Sequence, residues 1–382
     1  MATGHIRKRV GKNGAVSYQL IVESERDPLT GKRDRSYKTI NGTKKQAEAT
    51  LRKLIAEVEN GGIVTASAVK LGDWLHEWLK LYLPNIESTT RVGYREKIDG
   101  YIISRLGDIK LKSLNTPTIQ AWVNELKDEE NLAPKTIRNA FLNLKAALDK
   151  AVILKMIPTN PCIGVELPKL NRYKANIYTG NEIADAINAA EGTDMYLPVL
   201  LEIAIGFRRG ELLALKWSDI DFNTRTVHVR ENRVNGDGKV EIKAPKSSAG
   251  IRDITIGSNI VDELKKARKQ YLENKMKLGA GFTDSDLVIC QKNGKPFAPD
   301  SMTQKWLRFT KKHNLKHIRF HDLRHTCATA MLEAGIDPKT VQSRLGHANI
   351  SITMDVYGHC TKAMDKKAAD KIDEIISEKI AN

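Results

Sequence analysis

Four residues in one stretch near the C-terminus, His321, Arg324, His347 and Tyr357, are of the types that chemistry on a phosphate requires. An arginine binds phosphate oxygens through a planar fork that never loses its charge. A histidine moves protons near neutral pH, and a tyrosine hydroxyl is a nucleophile once its proton has an acceptor. His321 and Arg324 lie three apart, so on a helix they share a face. That helix is expected to end at Gly335, and the next to start with Asp337 as N-cap and Pro338 in its first turn. A stop at Gly346 leaves His347 on the following turn, and Tyr357 falls within a third short helix beginning near Ser351. Tyr357 is also the only tyrosine after Tyr271, so a phenolic nucleophile in this region has one candidate.

The order and spacing of these residues resemble the second motif block of the tyrosine recombinases, the integrase family of phages and mobile elements. Its pattern is His-x-x-Arg, then Leu-Gly-His, then Tyr ten residues after that His. Here it is filled by His321 and Arg324, by Leu345-Gly346-His347 and by Tyr357. The first block of the family, a turn with Arg and an acid three residues on, is matched by Arg208 and Glu211 within Gly206-Phe207-Arg208-Arg209-Gly210-Glu211. The resemblance also implies a catalytic lysine in the loop Ala244 to Gly250, where Lys246 is the match and Lys243 the rival position.

The chemistry accounts for these residue types. Attack on a phosphodiester builds charge on the non-bridging oxygens, which calls for fixed cations aimed there. Arg208 and Arg324 suit that task. A phenol with a pKa of about 10 is a poor nucleophile, so His321 is expected to accept the proton of Tyr357. Lys246 is expected to protonate the departing 5′ oxygen, His347 to hydrogen-bond the phosphate, and Glu211 to orient His321 or Arg324. No metal and no cofactor is called for. His317, His321 and His325 have zinc-compatible spacing, but no fourth ligand is evident, and no phosphate-cradling GxxxxGK loop occurs.

These residues need a scaffold, and bulk properties bound it. A chain of 382 residues exceeds one comfortable domain. Its formal net charge of +16, spread along the chain, points to a polyanionic partner, most often nucleic acid, and the family resemblance implies double-stranded DNA. The cysteines Cys162, Cys290, Cys327 and Cys360 show no paired spacing, which suits a reducing, cytoplasmic setting. The basic N-terminus has no apolar run behind it, so no signal peptide is expected. The most apolar stretch, Met195 to Phe207, carries Pro198 and Glu202 and is expected to be a buried helix, with no membrane involvement.

The expected architecture is multidomain. Residues 1–60 read as a small three-stranded sheet plus helix: strands at Ile6–Val10, Val16–Glu23 and Arg33–Ile40, then a helix opened by a Thr43…Gln46 capping box. Its uncovered face could enter a DNA groove, and the unit resembles the arm-binding domain of larger integrases. After a linker at 61–69, residues 70–157 read as an all-α unit with helices at Trp74–Tyr82, Thr89–Ser104, from Thr116 and from Pro134. With Arg91, Arg95, Lys97, Lys135, Arg138 and Lys145 as basic exposed positions, it resembles the family's core-binding domain. A second linker spans 158–176. Residues 177–382 then form an α+β catalytic domain, mostly helical, in which Val227–Val229, Val240–Lys243 and Ile251–Ile256 make one small antiparallel sheet. A tail helix, Lys366–Ile380, carries Ala369, Ile372, Ile375, Ile376 and Ile380 on one face, for docking in cis or on a neighbouring protomer.

The resemblance implies a site-specific recombinase working through a 3′-phosphotyrosyl intermediate and a Holliday junction. Its partners would be attachment-site DNA, three further copies in a homotetramer, and an excisionase or DNA-bending accessory protein. A topoisomerase-like relaxing enzyme and a DNA-binding architectural protein are the competing readings.

Overall fold

The structure is a computed structural model that describes residues 3–10, 16–26, 33–59, 69–128, 130–170, 175–245 and 248–350, together with 369–370, 372–373 and 376–377. The chain divides into two compact units, Met1–Arg172 and Tyr173–Asn382.

In the first unit, β1 (Thr3–Val10), β2 (Val16–Arg26) and β3 (Arg33–Asn41) form an antiparallel sheet in the order β1-β2-β3. Side chains alternate across a strand, so the register decides which residues share a face. One face carries Leu20 and Val22, packed beneath Ala47 and Leu51 of α1 (Lys44–Glu59). The expected capping box starts this helix: Thr43 N donates to Gln46 Oε1 at 2.9 Å, and Gln46 N to Thr43 Oγ1 at 3.4 Å. The opposite face carries the cross-strand rows His5–Ile21–Tyr37, Arg7–Gln19–Thr39 and Arg9–Ser17–Asn41. His5, Arg7, Arg9, Tyr37 and Thr39 are exposed there.

The helical part comprises α2 (Leu71–Tyr82), α3 (Ser88–Lys97), which passes through a wide π-helical turn at Ile98–Ile103 into α4 (Ser104–Leu106), α5 (Thr116–Asp128) and α6 (Pro134–Ile153). Trp74, Trp78 and Trp122 are buried in its core, and the Trp74 indole donates to Ala147 O at 3.0 Å. Ile157 and Cys162 belong to the same core, and Thr116 Oγ1 donates to Pro161 O, so the expected linker at 158–176 begins as packed structure. Several of the expected basic positions have partners inside this unit: Arg138 donates to Pro168 O, Lys97 donates to Gly93 O at 3.2 Å, and Lys145 pairs with Asp149 at 2.8 Å.

The second unit opens with α7 (Gly180–Ala190), α8 (Tyr196–Ile205) and α9 (Arg209–Ala214). Two small sheets follow, where the sequence suggested one. The strands β4 (Ile220–Asp221), β5 (Thr226–Val229) and β8 (Arg252–Thr255) form one, and β6 (Asn232–Asn235) and β7 (Val240–Lys243) form the other. The strand at 240–243 therefore pairs with residues 232–235 and not with 252–255, because Gly236 and Gly238 close a tight hairpin that the strand pattern did not reveal. Helices α10 (Ser258–Leu278), α11 (Pro299–Lys312), α12 (Asp322–Glu333) and α13 (Pro338–Leu345) complete the unit. Pro299 takes the first turn of α11, and Asp300 beside it accepts from Asn235 Nδ2 at 2.5 Å and Arg209 Nη1 at 3.4 Å. The unit's core gathers Trp306, Phe309, Phe320 and Tyr178 with the apolar faces of α8 and β5, and the Trp306 indole donates to Ile318 O. No helix among the described residues is long and apolar enough to cross a membrane.

The short helix expected near Ser351, and with it Tyr357, lies outside the described residues, as does Lys246. Of the tail, residues 369–370, 372–373 and 376–377 are helical, and Ile372 and Ile376 are exposed.

Candidate active site

Two glycine-terminated helices set the site. α8 ends at Gly206 with φ +73°, and α13 ends at Gly346 with φ +69°, a left-handed conformation that side chains with a Cβ disfavour. Space demands glycine as well. A Cβ on Gly206 would stand 2.5 Å from Leu345 Cδ2, and one on Gly346 2.6 Å from Ala249 O. Each reversal delivers a motif residue, Arg208 after the first and His347 after the second.

The C-terminus of α13 leaves backbone carbonyls without intrahelical donors and forms the negative end of the helix dipole. Three guanidinium groups meet it, one per successive carbonyl. Arg252 Nε donates to Arg344 O at 2.8 Å, Arg324 Nη2 to Leu345 O at 2.6 Å, and Arg208 Nη2 to Gly346 O at 2.5 Å. Arg324 also donates through Nη1 to Gly206 O at 2.6 Å, so it bridges the two helix ends. Glu211 supplies the counter-charge. Its Oε1 accepts from Arg208 Nη1 at 2.6 Å and its Oε2 from Arg252 Nη2 at 2.8 Å, while Arg208 N also donates to Oε2 at 2.9 Å.

Arginines thus converge without mutual repulsion deciding the matter, because carbonyl dipoles and one carboxylate offset them. The sequence-based expectation that Glu211 orients His321 or Arg324 is corrected by these bonds: its partners are Arg208 and Arg252. Burial raises the Glu211 pKa, but the Arg252 hydrogen bond and charge, with Arg208, outweigh it and leave the group below the usual carboxylate range. Arg324 is 3% exposed, and burial followed by the charge of Arg208 lowers its pKa to about 10, still charged at neutral pH.

His321 is the residue before α12, so it sits at the helix mouth one turn ahead of Arg324. It keeps an exposed edge, yet protein crowds the ring enough that burial, then the charges of His325 and Arg324, lower its pKa to about 4. His347 is buried, and burial with the charges of Arg324 and Arg208 lowers its pKa to about 3. Both rings are therefore neutral at neutral pH, able to accept a proton or to donate through one N–H. An anion on the arginines would pull both values back up. Among the described residues no three His, Cys, Asp or Glu side chains converge as a metal site.

Two groups here were missed from the sequence. Arg252 has a legible signal: it shares the inward face of β8 with Ile254, and a charged residue on a strand's apolar face needs a buried partner. Glu202, on the inner side of α8, is 1% exposed, and neither carboxyl oxygen has a hydrogen-bond partner among the described residues. Burial pushes its pKa well above the carboxylate range, against the pull of Arg324.

Two family models match this chain. The phage integrase family model covers residues 177–364, and the phage integrase N-terminal SAM-like domain covers 70–127. The chain belongs to the phage integrase family of tyrosine recombinases. It is an enzyme that cleaves and rejoins DNA in site-specific recombination. Among its relatives is a XerC-like tyrosine recombinase of Caldanaerobacter subterraneus subsp. tengcongensis, 29% identical over 95% of this chain and 97% of that protein. The ICEBs1 integrase of Bacillus subtilis is 28% identical over 94% of this chain and 97% of that protein. The Tn1549 transposon integrase in complex with transposon right end DNA shares the fold with a TM-score of 0.67, at 22% identity, over 79% of this chain and 99% of that one. A lambda integrase dimer bound to a COC′ core site does so with a TM-score of 0.60, at 22% identity, over 91% and 93%. The expected fold class, a multidomain and mostly helical chain with small antiparallel sheets and an N-terminal three-stranded sheet, agrees with that fold.

Proposed function

We propose that Arg208, Lys246, His321, Arg324, His347 and Tyr357 are the cleavage site of this recombinase, with Glu211 holding Arg208 in place. The observation that carries this reading is the meeting of Arg208, Arg324 and His347 at the C-terminus of α13, with Arg324 one helical turn from His321. The Tyr357 oxygen attacks the scissile phosphorus and passes its proton to His321. Arg208 and Arg324 hold the non-bridging oxygens as charge builds there, and His347 adds a neutral donor. The bond from phosphorus to the 5′ oxygen breaks, and Lys246 protonates that oxygen. The products are a 3′-phosphotyrosyl linkage and a free 5′-hydroxyl, and attack by a 5′-hydroxyl from a partner strand reverses the steps. The phosphodiester energy stays in the linkage, so no cofactor is consumed.

The remaining assignments belong to the same proposal. Residues 1–60 bind arm-type sites, with His5, Arg7, Arg9 and Tyr37 on the sheet face turned away from α1. Residues 70–157 bind the crossover core, 61–69 and 158–176 connect the parts, and 177–382 carry the chemistry and the tail. A solved lambda integrase tetramer is bound to a Holliday junction, and a homotetramer on the cytoplasmic DNA of the host is the parallel assembly here. An excisionase or a DNA-bending protein would select between integration and excision of a mobile element. The test is strand exchange between two differently labelled duplexes carrying the ends of that element. Recombinant duplexes are expected. Plasmid relaxation without joined duplexes would favour a topoisomerase-like activity and overturn the proposal.

A further inference from the structure

The loop that carries Lys246 leaves one sheet and enters the other. It follows β7, whose ladder partner is β6, and precedes β8, whose ladder partner is β5. Among the described residues no ladder hydrogen bond joins β7 to β8, so sheet register does not fix where the loop closes. Packing and one side chain do. Gly250 lies so close to Pro245 that a Cβ on it would be 2.4 Å from the proline Cβ, which pinches the two ends of the loop together. Ala249 O lies against Gly346, the residue before His347.

Arg252 ties this closure to the rest of the centre. Its Nη1 donates to Gly250 O at 2.9 Å, its Nε to Arg344 O at 2.8 Å, and its Nη2 to Glu211 at 2.8 Å. The side chain is 7% exposed, and all three guanidinium nitrogens are engaged in these bonds. It is therefore built to hold two backbone carbonyls and the Glu211 carboxylate, from three segments of the chain, and not to bind substrate.

We infer that Arg252 is a positioning residue for the leaving-group step, fixing the end of the lysine loop against the Glu211–Arg208 pair and the turn before His347. This rests on the assignment of Lys246 as the general acid. A lysine cannot reproduce the fork, because its ammonium is a single point of charge. Arg252→Lys thus keeps the charge and releases at least one of the three segments. Arg252→Gln removes the charge and keeps one donor group.

The test compares two substrates in the full-length protein. One is an ordinary suicide duplex, and the other has sulfur in place of the bridging 5′ oxygen at the scissile phosphate. A thiolate leaves without being protonated, so the sulfur substrate does not need the general acid. With the oxygen substrate, Arg252→Lys should slow single-turnover cleavage by about tenfold or more, a part of what a general acid supplies. With the sulfur substrate it should cleave near the wild-type rate, with DNA affinity unchanged. Lys246→Ala is the reference and should be rescued in the same way. If Lys246→Ala is rescued and the Arg252 variants are slowed equally on both substrates, or lose DNA binding and melt early, Arg252 serves the fold alone and the inference is overturned. Wild-type rates on both substrates overturn it too. If Lys246→Ala is slowed on oxygen and not rescued by sulfur, the general-acid assignment fails first, and this inference with it.

Discussion

The guanidinium of Arg208 donates through Nη2 to the carbonyl oxygen of Gly346 across 2.5 Å, joining chain positions 138 residues apart. That bond places the first motif block against the second. It also shows why the residue before His347 is a glycine: its carbonyl must face Arg208 while its backbone turns left-handed beneath the lysine loop. Replacing Gly346 with Ala should destabilise the protein by about 1–2 kcal/mol from the left-handed conformation alone, with more from the approach to Ala249 O. Thermal melting of Gly346→Ala against the wild type checks this, and cleavage should fall with it. A variant that melts and cleaves like the wild type would mean that the turn is not held as described.

Arg324→Lys separates charge from geometry. The guanidinium fork that spans Gly206 O and Leu345 O cannot be made by an ammonium. Cleavage is expected to drop by about 10²–10³-fold, the usual loss when one preorganised donor to a developing oxyanion is removed. DNA affinity, set by many phosphate contacts, should change little. Gel-shift titration beside single-turnover cleavage distinguishes the two, and a parallel loss of both would place Arg324 in general DNA binding.

How much of the structure is legible in the sequence differs by element. Gly335, Gly346, Asp337 and Pro338 mark helix ends, since caps and left-handed turns have strong residue preferences, and Asp337 Oδ2 accepts from Thr340 N at 2.9 Å. His-x-x-Arg on one helix is a local relation and reads directly. The alternation of β8 marks Arg252 as inward-facing, but its pairing with Glu211 could not be read, because the two lie 41 residues apart and only the fold brings them together. Pairing of β6 with β7 was missed for a related reason. Short four-residue strands carry little alternation, and the hairpin turn between them outweighed the pattern.

The histidines give a pH dependence with a definite sign. His321 and His347 have pKa values lowered from 6.5 to about 4 and about 3. At these two positions the unfolded chain therefore binds more protons than the folded one, so the histidines' contribution to stability is full above pH 6.5 and is lost as pH falls below it. Melting temperature of the DNA-free protein should drop between pH 6.5 and 5, a window above the ordinary titration of carboxylates. His321→Gln with His347→Gln should flatten that slope. Sulfate should flatten it as well, since an anion on the arginines raises both histidine values. An identical slope in the double variant would assign the titration elsewhere.

Removing residues 1–60 should abolish binding to one class of DNA site and leave weaker recognition of the crossover core. The slope of log affinity against log salt should become shallower by about 0.9 for every phosphate that residues 1–60 neutralise. Filter binding across a salt series measures both quantities. Loss of all DNA binding by a truncated protein that still melts cooperatively would argue against a separate arm-binding role.

Tyr357 is the proposed nucleophile, served by the Arg208–Arg324–His321–His347 centre. A suicide duplex nicked beside the cleavage point traps the covalent intermediate, which a denaturing gel separates from free DNA. Wild-type protein should give a protein–DNA adduct joined at the 3′ phosphate. Tyr357→Phe, which removes one oxygen and keeps the ring, should bind the same duplex with unchanged affinity and give no adduct. An adduct formed by the Phe variant would contradict the account.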